Sequence, residues 1–400
     1  MTPPLRHATR FAVYGVPMDL LSKSLQRTPQ PITIPYLLAH GGQPGKPPTA
    51  DELLRSAKYT QQELPVRLAR RVRQFYSLPF IVGTNPYIQE VARLYASSFA
   101  QLASMPPIQT LEDNQTFTKN LRKLVQDHTE NVPTLARGFL ECREYMDAAQ
   151  VSKFLDVALH SRIGIRIIAE QHLALTASSD LENGTDAVQS PTSVGIIDTE
   201  MSPLRIIEHS CEYVQALCES TFDIAPSVSF EGDLDVKTVG IPVHLEYVMT
   251  ELLKNSFRAT TEAYLKRKKA GTATGGPPPI VITLANAPSH TSVRIRDEGG
   301  GIRPENMSKI FSYAFTTANA QTGAEAADES NDIMAHAMQS SMGTLAGLGY
   351  GLPLSRLYLG YFGDNNLDIV SLWGHVCTAA IGRGLTYNRA VIHLSTSRMI

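Results

Sequence analysis

The alternation of apolar and polar residues divides the chain into a helical first half and a mixed second half. From Asp51 to about Thr176 apolar residues recur at helical spacing, with breaks at Met105–Pro107 and Asn131–Pro133. This pattern predicts an antiparallel helix bundle, because helices joined by short loops pack side by side. The polar, turn-rich stretch from Ala177 to Ser193 predicts a loop or linker.

From about Val194 onward, predicted strands alternate with predicted helices. The strands read "VGIID", "PSVSF", "KTVGIP", "IVITLAN" and "TSVRIRD", and the helices run through Ile206–Cys218 and His244–Lys268. Strands alternating with helices predict an α/β sandwich. The predicted fold class is therefore α+β with two domains, a helix bundle followed by an α/β sandwich. The Pro/Gly-rich stretch Lys269–Pro279 predicts a surface loop.

Three polar side chains on the predicted helix His244–Lys268 are placed to share one face. Glu251, Asn255 and Arg258 follow one another at spacings of four and three residues, so they project in the same direction. Magnesium prefers oxygen ligands such as an amide oxygen, and a carboxylate one turn away can accept a proton from an attacking hydroxyl. An amphipathic helix with a polar solvent face explains the same pattern.

The segment "VRIRDEGGGI" predicts a strand that ends in a glycine-rich turn. Val293, Ile295 and Asp297 alternate before the glycines at 299–301. Glycine permits a positive φ and close approach of the backbone, and a carboxylate at the strand end can accept a hydrogen bond from an exocyclic amine such as that of adenine. An ordinary hairpin turn is the alternative.

The segment "GLGYGLP" places Gly347, Gly349 and Gly351 before an apolar helix. Bare backbone N–H groups at a helix N-terminus bind phosphate. The dinucleotide fingerprint is excluded because Leu352 stands where a third glycine is needed, and a Walker A motif is excluded because His40 stands where its first glycine belongs. With the two preceding segments, this loop predicts a pocket for a magnesium-bound nucleotide.

These three segments, in this order, resemble the ATPases and kinases that include gyrase, the Hsp90 chaperones, MutL and the histidine kinases. Upstream, "ELPVRLARRVRQFYSLPFIVGTNPYI", "DHTENVPTLARGFLE" and "FLDVALHSRIGIRIIAEQHLAL" are similar to the mitochondrial 2-oxoacid dehydrogenase kinases, and so is "KIFSYAFTTA". The resemblance implies a helix-bundle domain at 31–180, an ATP-binding kinase domain at 194–385 and a lid at about 318–346, for which a surface insertion that never closes is the alternative. Residues 386–400 form an atypical C-terminal end that departs from the family.

The resemblance also implies a chemistry, in which ATP donates its γ-phosphoryl group to a serine of a partner enzyme. Glu251 is then the general base, Asn255 the Mg²⁺ ligand and Arg258 a phosphate contact, while Asp297 binds the adenine amine. Potassium is a further cofactor that the family allows. The residues that the resemblance assigns to nucleotide binding are Glu251, Asn255, Arg258, Asp297, Gly299, Gly301, Thr316, Thr317, Gly347, Leu348, Gly349, Tyr350, Gly351 and Leu352.

Two further residues carry open assignments. His128 stands where the family has its helical-domain histidine, and it is a candidate for catalysis, for phosphorylation or for a structural role. Lys254 pairs either with a carboxylate or with a phosphate. The implied partners are the dehydrogenase component and the lipoyl-bearing transacylase core of a 2-oxoacid dehydrogenase complex, together with a second copy of the chain.

Composition and charge change this picture little. The formal net charge of −2 gives no basic field for nucleic acid, and no apolar run reaches transmembrane length. The four cysteines lack metal-binding spacing. Residues 1–30 are basic and poor in acid, which suits a mitochondrial presequence or a disordered tail; the resemblance favours the presequence and the mitochondrial matrix.

The substrate and the C-terminus remain open at the level of sequence. Tyr247 and "SRIGIRIIAEQHLAL" are similar to the branched-chain kinase, whereas "ELPVRLA" and "FSYAFTTA" are similar to the pyruvate-directed kinases. After Leu372 the chain departs from the family, because the Thr-Asp pair of the family is missing and Cys377–Thr378 stand nearby. The segment "AVIHLS" is a candidate for the last strand of the family. We expect a protein serine kinase of the pyruvate dehydrogenase complex. The alternatives are a branched-chain 2-oxoacid dehydrogenase kinase, a histidine kinase and a nucleotide-binding protein without catalytic activity.

Overall fold

The computed structural model describes residues 15–16, 18–180, 191–287, 290–313, 349–363 and 366–384. The chain divides into two compact units between Glu200 and Met201. The first unit is helical apart from a short hairpin, and the second combines helices with a sheet. The predicted α+β fold class, helices first and an α/β arrangement second, is confirmed.

The first unit contains eight helices within the described residues. Helix α3 is the centre of its packing and contacts α1, α2, α5, α6 and α8. The strands β1 (Ser193–Val194) and β2 (Ile197–Met201) pair in an antiparallel hairpin. The helices are α1 (Met18–Gln26), α2 (Ile34–His40), α3 (Ala50–Tyr76), α4 (Phe80–Gly83), α5 (Pro86–Ala103), α6 (Leu111–Asp127), α7 (Asn131–Glu141) and α8 (Ala148–Asp180).

Helix α3 shows why these segments fold as helices. Its start is fixed by a capping box, in which Thr49 and Glu52 exchange hydrogen bonds between side chain and backbone. Leu64, Leu68 and Val72 recur four residues apart and are at most 2% exposed. This row of apolar residues is buried, which stabilises the helix more than its intrinsic propensity does.

The structure corrects the predicted boundaries of the helical region at two places. Helix α8 continues to Asp180, into the first residues of the predicted linker. There Ser178 and Ser179 donate their hydroxyls to backbone carbonyls of the preceding turn at 2.8 and 2.7 Å. The break that was predicted at Asn131–Pro133 lies before Asn131 instead. Helix α7 begins at Asn131, and Pro133 is tolerated in its first turn.

Part of the N-terminal segment forms a helix. Residues Met18–Gln26 form α1, in which Leu21 is 1% exposed and which packs against α3. The Arg27 guanidinium donates to the carbonyl of Gln62 at 3.1 Å. Residues 1–14 lie outside the described part of the chain, and the assignment of residues 1–30 to a presequence or a disordered tail stays a prediction.

The second unit is built on a five-stranded sheet in the order β3-β5-β6-β8-β7. Strands β3 and β5 are parallel, and the other neighbouring pairs are antiparallel. Asp297, at the end of β6, pairs with Cys377 of β8. The elements of this unit are α9 (Pro203–Phe222), β3 (Val228–Gly232), β4 (Thr238–Gly240), α10 (Pro242–Lys269), β5 (Ile280–Ala287), β6 (His290–Asp297), α11 (Pro304–Met307), α12 (Gly351–Gly360), β7 (Asn366–Leu372) and β8 (Val376–Gly384).

One apolar core joins the helices of this unit to its sheet. Val248, Leu253 and Phe257 of α10 are fully buried, and they share a cluster with Ile282 and Leu284 of β5. Helix α10 also packs against α9 and α12. The helix predicted at His244–Lys268 is therefore observed with its apolar face on the sheet, which leaves the opposite face for polar residues.

The described residues include no helix that is both long enough and apolar enough to span a membrane. The predicted loop at Lys269–Pro279 is observed, because the chain has no regular structure between α10 and β5. The predicted lid at 318–346 and the candidate last strand "AVIHLS" lie outside the described residues. Strand β8 instead occupies residues 376–384, directly after a turn at 373–375.

Candidate active site

Glu251 lies between a lysine and a glycine of the second unit. Its Oε1 is 2.6 Å from the Lys254 ammonium, and the side chains are 15% and 6% exposed, respectively. A β-carbon added to Gly351 would lie 2.1 Å from Glu251 Oε2. Helix α10 thus presents a carboxylate to the first residue of α12, and only a glycine leaves it enough room there.

Asn255 and Arg258 follow Glu251 on α10. Asn255 is exposed, so its amide oxygen is accessible to a ligand. Arg258 is half-buried, with its Nε 3.8 Å from Glu262. That Nε atom is buried and has no hydrogen-bond partner within the described residues. A buried donor without a partner is costly, so the guanidinium is suited to receive an anionic ligand.

Asp297 is buried at the point where β6 enters the glycine turn, and it is 5% exposed. Its Oδ2 accepts the Ser256 hydroxyl at 3.0 Å, and its Oδ1 accepts the backbone N–H of Gly299 at 3.0 Å. Burial raises the pKa of Asp297 from its usual 3.8 to about 6, and these hydrogen bonds offset only part of that shift.

The turn after Asp297 is shaped by its glycines. A β-carbon on Gly299 would lie 2.5 Å from that of Ala259 on α10. Gly301 has a φ of +70°, and a β-carbon there would lie 2.5 Å from the carbonyl oxygen of Leu372. The turn therefore approaches both α10 and the end of β7 more closely than any side chain would permit.

The turn before β8 supports the same glycine turn. Gly374 donates its backbone N–H to the carbonyl of Gly300 at 2.8 Å, and Gly300 donates to the carbonyl of His375 at 3.3 Å. The backbone N–H of Ile302 donates to Ser371 Oγ at 2.6 Å. The atypical sequence after Leu372 thus still forms the strand and the turn that hold this part of the site.

Helix α12 begins at Gly351, two residues after Gly349, which has a φ of +77°. The Tyr350 side chain does not cap this helix; it is 7% exposed, and its ring lies 5.2 Å from that of Tyr313. The burial of Tyr350 raises its pKa. Leu352 packs against the core of the unit. Gly351 and Leu352 bring backbone N–H groups to the start of α12, where a helix has no internal acceptor for them, whereas Pro353 has no N–H. Such N–H groups can bind an anion.

Comparison with known proteins identifies the family. Residues 31–198 match the family model described as mitochondrial branched-chain alpha-ketoacid dehydrogenase kinase, and residues 240–378 match that of the histidine kinase-, DNA gyrase B- and HSP90-like ATPases. An Arabidopsis thaliana protein, [pyruvate dehydrogenase (acetyl-transferring)] kinase, mitochondrial, is 31% identical over 86% of this chain and 87% of its own length. The chain belongs to the mitochondrial pyruvate dehydrogenase kinase family.

Relatives from animals agree with this assignment. The human protein [pyruvate dehydrogenase (acetyl-transferring)] kinase isozyme 3, mitochondrial, is 29% identical over 87% of this chain and 80% of its own length. The corresponding kinase of Ascaris suum is 29% identical over 81% of this chain and 76% of its own length. The alignments therefore cover most of the chain and most of these kinases, and the predicted resemblance to this family is confirmed.

Among the residues that sequence predicted for the kinase site, ten belong to the second unit and are described. They fall into three clusters in the second unit. In the first, Glu251 lies against Gly351; the second is Asp297 with the glycine turn; the third is the start of α12. Thr316, Thr317, Gly347 and Leu348 lie outside the described residues, so their assignments stay predictions. The ten described residues are Glu251, Asn255, Arg258, Asp297, Gly299, Gly301, Gly349, Tyr350, Gly351 and Leu352.

His128 belongs to the first unit, at the C-terminal end of α6. It is 7% exposed, its Nε2 lies 2.8 Å from Ser98 Oγ, and its Nδ1 lies 2.7 Å from the Asn131 amide nitrogen. Burial lowers the pKa of His128 to about 4, and the charge of Arg162 acts in the same direction. A neutral imidazole with both nitrogens bonded is typical of a packed structural histidine.

Sequence reasoning missed several residues that shape the kinase site. Ser256 holds Asp297, yet a serine on a helix carries no signal of that contact. Ala259 faces Gly299, and Ser371 holds the turn from 69 residues away. The sequence left open whether Lys254 pairs with a carboxylate or with a phosphate. In the structure its ammonium pairs with the Glu251 carboxylate.

Proposed function

We propose that this chain is an ATP-dependent protein serine kinase that phosphorylates and inactivates the dehydrogenase component of the pyruvate dehydrogenase complex. The observation that carries the proposal is the 31% identity to a pyruvate dehydrogenase kinase across 86% of this chain and 87% of that kinase. The site geometry supports it, since a carboxylate, an amide, a buried aspartate and a glycine loop all belong to one unit, as phosphoryl transfer requires.

Residues of α10 and α12 carry out the proposed catalytic steps. Glu251 accepts the proton of the substrate serine as its oxygen attacks the γ-phosphorus. The N–H groups at the start of α12 and the Arg258 guanidinium hold the phosphate oxygens. Asp297 accepts a hydrogen bond from the adenine amine, and Gly299 and Gly301 let the turn approach the base. Thr316, Thr317, Gly347 and Leu348 are assigned to the nucleotide by resemblance alone.

The residues of the site fit a magnesium ion that is brought in with the nucleotide. Asn255 supplies an exposed amide oxygen, and no group of three His, Cys, Asp or Glu side chains in the described residues offers a complete protein cage. Mg²⁺ usually takes one or two protein ligands, with phosphates and water in the remaining positions. When bound, the ion neutralises charge on the phosphates. Potassium remains a second candidate ion by resemblance.

Replacing Asn255 by alanine is expected to weaken nucleotide binding about tenfold in the presence of Mg²⁺, because one inner ligand of the ion is lost. In excess chelator the parent protein and the variant should bind nucleotide equally. Calorimetric titration with and without Mg²⁺ measures both values. An equal loss of affinity under the two conditions would remove Asn255 from the metal site.

The affinity for nucleotide is expected to fall as the pH drops through about 6. Because the pKa of Asp297 is raised to about 6, this carboxyl is ionised above that pH and protonated below it. The ionised form is the stronger acceptor for the adenine amine, and a charged acceptor contributes about 1 kcal/mol more than a neutral one. ADP should therefore bind several-fold more weakly at about pH 5 than at about pH 7.5.

The variant Asp297→Asn is the control for this pH dependence. The terminal phosphate of ADP titrates in the same range, so the parent protein alone is insufficient. The variant should bind ADP weakly at both pH values and retain only the dependence that the phosphate itself causes. If the parent protein and the variant show the same change with pH, Asp297 is not the group that senses it.

The proposal extends to partners and location. The relatives that match this chain are named as mitochondrial kinases, and we assign this chain to the mitochondrial matrix. By resemblance it binds the lipoyl-bearing transacylase core of the complex and forms a homodimer. Size-exclusion chromatography with light scattering, on the chain alone and with an isolated lipoyl-bearing domain, tests both assignments.

A second candidate substrate is the branched-chain 2-oxoacid dehydrogenase complex. It is favoured by the helical region, which matches the branched-chain kinase model over residues 31–198. The experiment is to incubate each purified complex with this chain and MgATP and to follow NADH production. Loss of activity of the pyruvate complex supports the main proposal; selective loss of activity of the branched-chain complex would replace it.

A further inference from the structure

Lys254 is a buried cation whose partner in the described part of the kinase domain is Glu251. The lysine side chain is 6% exposed, and its Nζ lies 2.6 Å from Glu251 Oε1. Leu253 and Phe257, its neighbours on α10, are fully buried. A buried ammonium is costly unless a counter-charge is close. The lysine therefore holds the carboxylate strongly.

The two oxygens of Glu251 have different surroundings. Oε1 faces the ammonium, whereas Oε2 faces the backbone of Gly351, where a β-carbon would be only 2.1 Å away. A glutamate side chain has three rotatable bonds and would otherwise sample several rotamers. The ion pair on one side and the helix start on the other restrict it to one orientation.

We propose that Lys254 is a positioning residue that fixes Glu251 with Oε2 directed at the start of α12, where the serine hydroxyl meets the γ-phosphate. This inference rests on the proposed role of Glu251 as the base. In the step it serves, the serine O–H bond breaks and its proton passes to Oε2, the serine oxygen bonds to phosphorus, and the bond from phosphorus to the bridging oxygen breaks so that ADP leaves.

The alternative for Lys254 is a direct contact with a phosphate. An ammonium has three donors, and the contact with Glu251 uses one of them. The two roles differ in their effect on the affinity for nucleotide. A lysine that acts through Glu251 changes the rate of transfer without changing the affinity for nucleotide, whereas a phosphate ligand changes both.

The test is a double-substitution cycle with Lys254→Met and Glu251→Gln, in which kcat, nucleotide affinity and thermal unfolding are measured. Lys254→Met should lower kcat about 30- to 100-fold, because a misplaced base loses about that much, and should change the Kd for ADP less than about threefold. Lys254→Arg should recover part of kcat, since its guanidinium also bonds carboxylates. In the Glu251→Gln background, Lys254→Met should lower kcat less than about threefold further.

A readout without nucleotide accompanies the kinetics. In the nucleotide-free protein, the unfolding temperature of the double variant should fall by less than the sum of the decreases in the two single variants. Each single substitution removes one charge of a buried pair and leaves the other uncompensated. Lys266→Met, an exposed lysine on the same helix, is the matched control and should leave kcat and the unfolding temperature unchanged.

Three results would overturn the inference. Equal loss of kcat from Lys254→Met in both backgrounds would mean that the lysine acts independently of Glu251. A rise in the Kd for ADP that parallels the loss of kcat would make Lys254 a phosphate ligand. Phosphoryl transfer by Glu251→Gln at close to the parent rate would overturn the base assignment and this inference with it. If the unfolding temperatures of the nucleotide-free variants are then still non-additive, the ion pair is purely structural.

Discussion

Replacing Glu251 by glutamine is expected to lower kcat for serine phosphorylation by about 10³-fold, because general-base catalysis contributes about 10² to 10⁴ in rate. Glutamine keeps the shape of the side chain and accepts a hydrogen bond from Lys254, so the site should stay assembled. The affinity for ATP should remain within about threefold of the parent value, because the carboxylate acts on the serine and not on the nucleotide.

The measurement is single-turnover transfer from ATP to the dehydrogenase component, combined with an independent titration of ADP. Single-turnover rates separate the chemical step from product release. If transfer is lost because nucleotide no longer binds, the substitution has damaged the pocket and reports nothing about the base. Transfer at close to the parent rate would remove Glu251 from the catalytic step.

Replacing Gly351 by alanine is expected to lower kcat about 100-fold while the protein still folds. The new β-carbon would lie 2.1 Å from Glu251 Oε2, so the carboxylate must move away, and a displacement of about 1 Å can cost about 10²-fold in rate. The fold should tolerate the change, because Gly351 is absent from the glycines with positive φ and the atom in its way ends a flexible side chain.

Gly276→Ala is the matched control for this substitution. Gly276 has no atom within 4 Å of an added β-carbon and lies in the exposed loop between α10 and β5. The control should keep the parent kcat and unfolding temperature. A Gly351→Ala protein that transfers phosphate at the parent rate would show that the contact between α12 and Glu251 does not govern the position of the base.

The elements of the kinase domain could be predicted from sequence because each has a strong local signal. Helix α10 follows the spacing of its buried residues, and the alternation of Val293, Ile295 and Asp297 matches their burial on β6. The glycines at 299 and 301 were predicted to permit close approach, and each is now seen against a backbone or a side chain. Local patterns thus sufficed for these elements.

What sequence could not supply are contacts between distant elements. The distance between Glu251 and Gly351 depends on how α10 and α12 pack, and 100 positions separate the two residues. The hydrogen bond from Ser256 to Asp297 likewise needs a particular alignment of α10 on β6. The extension of α8 was missed for a different reason, since polar serines favour loops but here bond back to their own helix.

The measurement that tests the central claim most directly is transfer of label from γ-labelled ATP to the purified pyruvate dehydrogenase complex. The account predicts acid-stable label on a serine of the dehydrogenase α-subunit, and its loss with Glu251→Gln. Acid-labile label on this chain itself would indicate a histidine kinase. No label on the complex, with nucleotide binding intact, would contradict the assignment as its kinase.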